Sequence, residues 1–125
     1  GNYKESDSVK PFNNYGLSKL GGECAVSMYK NSLILRITMT QKPFAHNTAF
    51  TNLKSNFMFH EDLVDILPKI VNEIGIINIG GKSQSVYDFA KKYNKSLKKA
   101  KLDKNSKLPL NQTMNLSKLK RFLKW

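Results

Sequence analysis

Apolar residues recur at near-helical spacing from Leu17 through Leu20 and Ala25 to Met28, which predicts a helix over 13–30. Asn31 follows as a stop, and the polar stretch 1–12, with Pro11 near its end, is predicted to be loop. The pattern then changes. "SLILRITM" at 32–39 is a continuous apolar run with β-branched members and no clean alternation, which predicts a strand covered on both faces in a parallel sheet. Arg36 interrupts that run and needs a partner if it is buried. Residues 40–58 are polar and irregular, marked by Pro43; a stretch of that length without its own period predicts a binding loop.

The helical period returns at 60–73, "HEDLVDILPKIVNE", with Leu63, Ile66, Leu67, Ile70 and Val71 on one face. Glu61 and Asp62 stand where the positive end of the helix dipole favours acids, and Pro68 predicts a kink. Gly75 ends that helix, and "GIINIGG" at 75–81 predicts a short strand running into a glycine turn. Ser85 is placed to cap a third helix, "VYDFAKKYN", with Asp88 completing a pattern like a capping box. Residues 95–113 are basic and irregular, with a short strand expected at 97–102, and Asn115 or Ser117 opens a final short helix, "LSKLKRFL". Alternation of helix and strand makes the fold class α/β. The best strand, 32–39, has no obvious parallel neighbour in the sequence, and 76–79 offers it thin support.

Composition narrows the class. The 125 residues are 40% hydrophobic and 24% charged, a globular balance fit for one domain. No apolar run approaches the length of a membrane span, and the N-terminal stretch has no apolar core of the signal-peptide kind. The lone cysteine, Cys24, rules out an internal disulfide and fits a reducing compartment, so a cytoplasmic location is expected. His46 and His60 stand far apart with no cysteine pair, so no metal site is expected.

The formal charge of +12 is unevenly spread. Residues 1–90 hold nine Lys/Arg against eight Asp/Glu, whereas 91–125 hold twelve against Asp103 alone. Only Arg36 and Arg121 are arginines, the residue favoured for reading bases and forking onto phosphates. A lysine-rich stretch without interleaved aromatics argues against a nucleic-acid partner, and thirteen asparagines beside so many lysines fit coding biased toward A and T.

"NNYGLSKLGGE", residues 13–23, carries the chemistry. Tyr15 and Lys19 are four apart, which places them on one helical face. An ammonium beside a phenol favours its ionised form, so the pair can act as a general acid. The plain alternative is an aromatic helix residue beside a solvated lysine. Gly21 and Gly22 weaken that helix by about 1 kcal/mol each relative to alanine, which is tolerated where another element approaches closely.

"YGLSK" opening a helix, then "LGGE", then the strand "LILRI" resembles the extended short-chain dehydrogenase/reductases, and within them the dTDP-4-dehydrorhamnose reductase type of the NAD-dependent epimerase/dehydratase superfamily. "GIINIGGKSQSVYDFAKKY" and "MNLSKLKRFL" are similar to that family's late strand, glycine turn, helix and closing segment. The resemblance implies NAD(P)H-dependent reduction of a nucleotide-linked 4-keto-6-deoxy sugar, with Tyr15 as proton donor and Lys19 also holding the nicotinamide ribose. It implies that Thr38 lies near the nicotinamide and Met39 near the sugar, although related reductases often carry an aromatic residue at the latter position. It makes Asn52, Lys54 and Asn56 candidates for the nucleotide-sugar substrate. Residues 1–39 would form the catalytic helix and following strand, and 40–125 the substrate-binding portion of a single partial domain.

The family's G-x-x-G-x-x-G turn, which lays the cofactor pyrophosphate on a helix N-terminus, does not occur among these 125 residues. Nor is there room before Tyr15 for the family's catalytic Ser or Thr. The expectation is therefore the C-terminal part of a Rossmann-like short-chain dehydrogenase/reductase fold, lacking the N-terminal dinucleotide-binding βαβ units. Such a chain would need that segment, or a second chain, as its partner, with a homo-oligomer also open and no membrane partner expected. A non-catalytic truncated or regulatory relative, and a basic C-terminal stretch binding a polyanion, are the alternatives.

Overall fold

The computed structural model describes residues 1–124. α1 spans Asn14–Ser27, its N-terminus capped by the Asn13 side chain, which accepts from the Gly16 N–H at 2.7 Å. The face expected to be buried is not. No α1 residue is buried; Leu17, Ala25 and Met28 are exposed, and only Leu20 is half-covered. The apolar spacing of α1 is real, but most of it stays uncovered by the described residues. Gly21 and Gly22 likewise face open space, since nothing lies within 4 Å of a Cβ built at either. No described element of this chain makes the close approach expected of that pair.

The strand expected at 32–39 forms as β1, Leu33–Ile37, and its parallel neighbour is the late strand β6, Gly75–Ile79, in register from Leu33 opposite Gly75 to Ile37 opposite Ile79. Sequence separation hid this pairing. β1 is half-buried throughout rather than covered on both faces. Leu33, Leu35 and Ile37 pack against one hydrophobic cluster, built from Met58, Ile66, Ile70, Ile77, Ile79, Leu119 and Leu123. Arg36, on the alternate side, turns to α1.

The stretch 40–58, expected as loop, contains most of four short strands: β2 (Met39–Thr40), β3 (Thr48–Phe50), β4 (Lys54–Ser55) and β5 (Met58–Phe59). β2 pairs in parallel with β5, and β3 in parallel with β8 (Lys98–Ala100), the strand expected near 97–102. β4 pairs antiparallel with β7 (Gln84–Ser85). Runs of two or three residues have no period to detect. β5 joins the two cores, because successive strand side chains point to opposite faces. Met58 enters the β1/β6 cluster, while Phe59 enters a second one with Ala49, Leu53, Val86, Phe89, Ala90 and Leu97.

α2 spans His60–Ile70, shorter than the expected 60–73 because Pro68 stands in its last turn and Gly75, at φ +92°, follows. Its first turn is closed by the Asp62 carboxylate, which accepts from the Phe59 N–H at 2.8 Å. Ile66 and Ile70 are buried and Leu63 half-buried, but Leu67 and Val71, expected on the same face, are exposed. α3 is Val86–Ala90, capped by Ser85: its hydroxyl accepts from the Asp88 N–H at 2.9 Å and donates to the Asp88 carboxylate at 2.8 Å. α4, Ser117–Leu123, packs Leu119 and Leu123 into the β1/β6 cluster. Where β6 ends, Gly80 and Gly81 pass so near the 56–57 backbone that a Cβ on either would stand 2.6 and 2.5 Å from the carbonyl oxygens of Asn56 and Phe57.

Candidate functional site

α1 and β1 enclose an open cleft of about 820 Å³ whose lining includes Tyr15, Lys19, Glu23, the whole of β1 and Met39. Tyr15 stands at its rim, 70% exposed. The Lys19 ammonium lies over the Tyr15 ring, 5.4 Å from its centroid, as helical i,i+4 spacing dictates. A phenol and an ammonium thus share one wall of a cleft floored by apolar strand residues. That arrangement can hold a proton beside a bound oxygen and offer a cation to neighbouring hydroxyls.

What holds α1 beside β1 is polar. Arg36 donates from Nη2 to Glu23 Oε1 at 2.6 Å and from Nε to Glu23 Oε2 at 3.1 Å, a bidentate ion pair with side chains 21% and 18% exposed. Arg36 Nη1 also donates to the Glu5 carbonyl at 3.1 Å. Hydrogen bonding to Glu23 holds the guanidinium pKa above its ordinary value, against the cost of burial. The Glu5 carboxylate in turn accepts from the Asn78 N–H of β6 at 3.1 Å, and the Asn78 side chain donates to the Tyr3 and Asn115 carbonyls at 2.9 and 3.3 Å. One network therefore ties the N-terminal segment, α1, β1 and β6. Arg36 signals itself in the sequence as a charge inside an apolar run; Glu23, Glu5 and Asn78 carry no such mark.

Of the other candidates, Met39 lines the same cleft as Tyr15 and Lys19 and is 42% exposed. Thr38 follows β1, its N–H donating to the Ile79 carbonyl and its carbonyl accepting from the Met58 N–H. Asn52 and Asn56 spend their amides on backbone. Asn52 accepts from the Leu102 N–H and donates to the Leu102 carbonyl, at 2.8 and 2.9 Å. Asn56, only 2% exposed, donates to the Gly81 carbonyl at 2.8 Å and accepts from the Met114 N–H at 2.7 Å. Asn56 also borders a separate cleft of about 410 Å³ with Lys82, Ser83, Ser117 and Lys120. Lys54 is exposed, its backbone N–H and carbonyl bonded to the Leu110 carbonyl and the Gln112 N–H. Tyr15, Lys19 and Met39 are thus brought together; Asn52, Lys54 and Asn56 are not brought to them. Met114 borders both of these clefts and a third of about 340 Å³ beside Arg36, a position no sequence pattern singles out.

Among the described residues no group of three or more His, Cys, Asp or Glu side chains is placed to hold a metal ion, and no helix is long and apolar enough to cross a membrane. No protein-family model matches the chain, and no curated protein matches it significantly. Solved structures do. A hypothetical dTDP-4-dehydrorhamnose reductase from Sulfolobus tokodaii superposes with a TM-score of 0.77 at 23% identity, over 97% of this chain and 52% of that one. The dTDP-4-dehydrorhamnose reductase of Bacillus anthracis, in complex with NADP, gives 0.76 at 18% identity, over 95% and 52%. UDP-glucuronic acid 4-epimerase of Bacillus cereus, in complex with NAD, gives 0.72 at 23% identity, over 100% and 50%. The chain spans about half the length of each of these structures. It has an α/β fold that matches part of the Rossmann-like reductase fold.

Proposed function

We propose that this chain supplies the proton-donor and substrate-facing part of an NAD(P)H-dependent sugar-nucleotide reductase, acting on a 4-keto-6-deoxy sugar linked to a nucleoside diphosphate. The observation that carries the reading is the placement of Tyr15 and Lys19 on one wall of the cleft over β1, in a fold shared with reductases of that type.

The roles follow from chemistry. Bound reduced nicotinamide supplies the hydride. Tyr15 gives its phenolic proton to the carbonyl oxygen of the sugar. Lys19 would hold the nicotinamide ribose hydroxyls, and its charge would steady the phenolate that remains. Thr38 and Met39, after the carboxyl end of β1, would border the nicotinamide and the sugar, at the edge where open α/β sheets take their ligands. Residues 1–39 carry the acid and the cofactor-facing wall, and 40–125 the substrate portion. Lys54, whose side chain is exposed, is free to meet a phosphate, whereas Asn52 and Asn56 shape that portion through the backbone they clamp.

This cleft would receive the cofactor's nicotinamide end only, since no G-x-x-G-x-x-G turn for the pyrophosphate occurs in the 125 residues. The test is oxidation of NADPH in the presence of a dTDP-4-keto-6-deoxy sugar, by the chain alone and by the chain combined with a glycine-rich βαβ half. Turnover is expected in the combination. Turnover by the chain alone would overturn the need for that half. A non-catalytic binding module on the same fold is the second reading; it is favoured by the commitment of both Asn52 and Asn56 to internal hydrogen bonds.

A further inference from the structure

The lobe built from α3, β8 and the loops around them carries eight lysines between Lys91 and Lys107, against Asp88 and Asp103. Coding bias alone would spread lysine along the chain, yet residues 1–90 are nearly balanced in charge. All eight lysines are exposed. The sequence separates them from aromatic rings, but the fold does not. Lys91 and Lys99 both place their ammonium over the Tyr87 ring, 5.4 and 5.5 Å from its centroid. Lys42, outside that stretch of sequence, lies 5.6 Å from the Tyr93 centroid. Tyr93 is 51% exposed. Lysines therefore stand against two separate tyrosines of this lobe, Tyr87 half-buried and Tyr93 exposed, and the reason for setting nucleic acid aside holds only for the linear sequence.

We propose that the lysine-rich surface of this lobe binds single-stranded nucleic acid without sequence preference. Phosphates would draw the ammonium groups off the Tyr87 and Tyr93 rings, leaving those rings free to stack with unpaired bases. Sequence reading is not expected, because neither arginine belongs to the lobe: Arg36 is held by Glu23, and Arg121 belongs to α4. A membrane surface fits less well, since the lobe's larger apolar side chains, Leu97, Leu102 and Leu108, are turned into the core and none is offered for insertion.

The experiment is fluorescence anisotropy of a labelled oligothymidine mixed with the 125-residue chain at several salt concentrations. With about four phosphate contacts, affinity should fall about 50-fold between about 50 and 200 mM salt. The double variant Lys98→Gln, Lys99→Gln should lower the slope of log affinity against log salt by about 1.4. Tyr93→Leu, and Tyr87→Leu if it folds, should weaken oligothymidine about tenfold without changing that slope. The same variants should leave binding of inorganic polyphosphate unchanged. Absence of binding at low salt, tyrosine variants that bind oligothymidine like the parent, lysine variants with an unchanged slope, or tighter binding to vesicles of anionic lipid would each overturn the proposal.

Discussion

At the scale of single residues, caps and close approaches decide most of what can be measured. Ser85 is buried and serves both as acceptor for the Asp88 N–H and as donor to the Asp88 carboxylate. Ser85→Ala should cost about 1 kcal/mol, read as a lower midpoint in urea with an unchanged slope. Hydrogen bonds from Lys91 and Ser85 hold the Asp88 carboxyl below its ordinary pKa of 3.8. A carboxyl with a depressed folded pKa adds stability above the unfolded value and loses it as pH falls through the folded one. The contribution of Asp88 should therefore be complete at about pH 5, begin to fall near the unfolded value of about 3.9, and be lost as pH drops through the lower folded value. Asp88→Asn should flatten that limb of the pH-stability curve; an acid limb unchanged in the variant would count against it. Gly81 offers a second check. A methyl there meets the Phe57 carbonyl oxygen, so Gly81→Ala should destabilise by about 1–3 kcal/mol, whereas Gly21→Ala, in open space, should stabilise α1 slightly. Local devices of this kind are legible in a sequence, and the Ser85 cap was expected from it. The clamps made by Asn52 and Asn56 reach 50 and 58 residues along the chain, so nothing local marks them.

At the scale of elements, helices were legible because their apolar period is local, whereas strand pairing was not. β1 meets β6 some forty residues later, and the short strands between them carry no period at all. α1 shows the limit from the other side. Its start follows from the sequence, but it stops at Ser27 rather than near residue 30, most of its apolar residues stay exposed, and Glu23–Arg36 is the tie that sets its position. A pair this far covered is worth more than a surface salt bridge and less than a fully buried one, about 1–2 kcal/mol. Arg36→Met should raise amide exchange across residues 14–27 while β6 stays protected. Equal exchange of α1 in both proteins would show that its apolar contacts, not the ion pair, hold it.

At the scale of the whole molecule, the described residues form two cores joined through β5, with α1 and the outer edge of β1 left outside them. Among the described residues no strand pairs with that outer edge, and an unpaired apolar strand invites another chain. The 125-residue chain should therefore self-associate as its concentration rises, and Ile34→Lys should shift sedimentation toward the monomer. A strictly monomeric chain with a sharp, cooperative melt would argue otherwise. The proposed proton-donor role of Tyr15 and Lys19 also belongs to this scale, because the superposed reductases are about twice as long as this chain. The measurement that bears most directly on that claim compares the chain with its Tyr15→Phe variant. Each is combined with a glycine-rich dinucleotide-binding half and supplied with NADPH and a dTDP-4-keto-6-deoxy sugar. The parent should consume NADPH, and Tyr15→Phe should be slower by about 10²–10⁴-fold with NADPH binding intact. Equal rates in the two, or no consumption by a combination that binds both ligands, would contradict it.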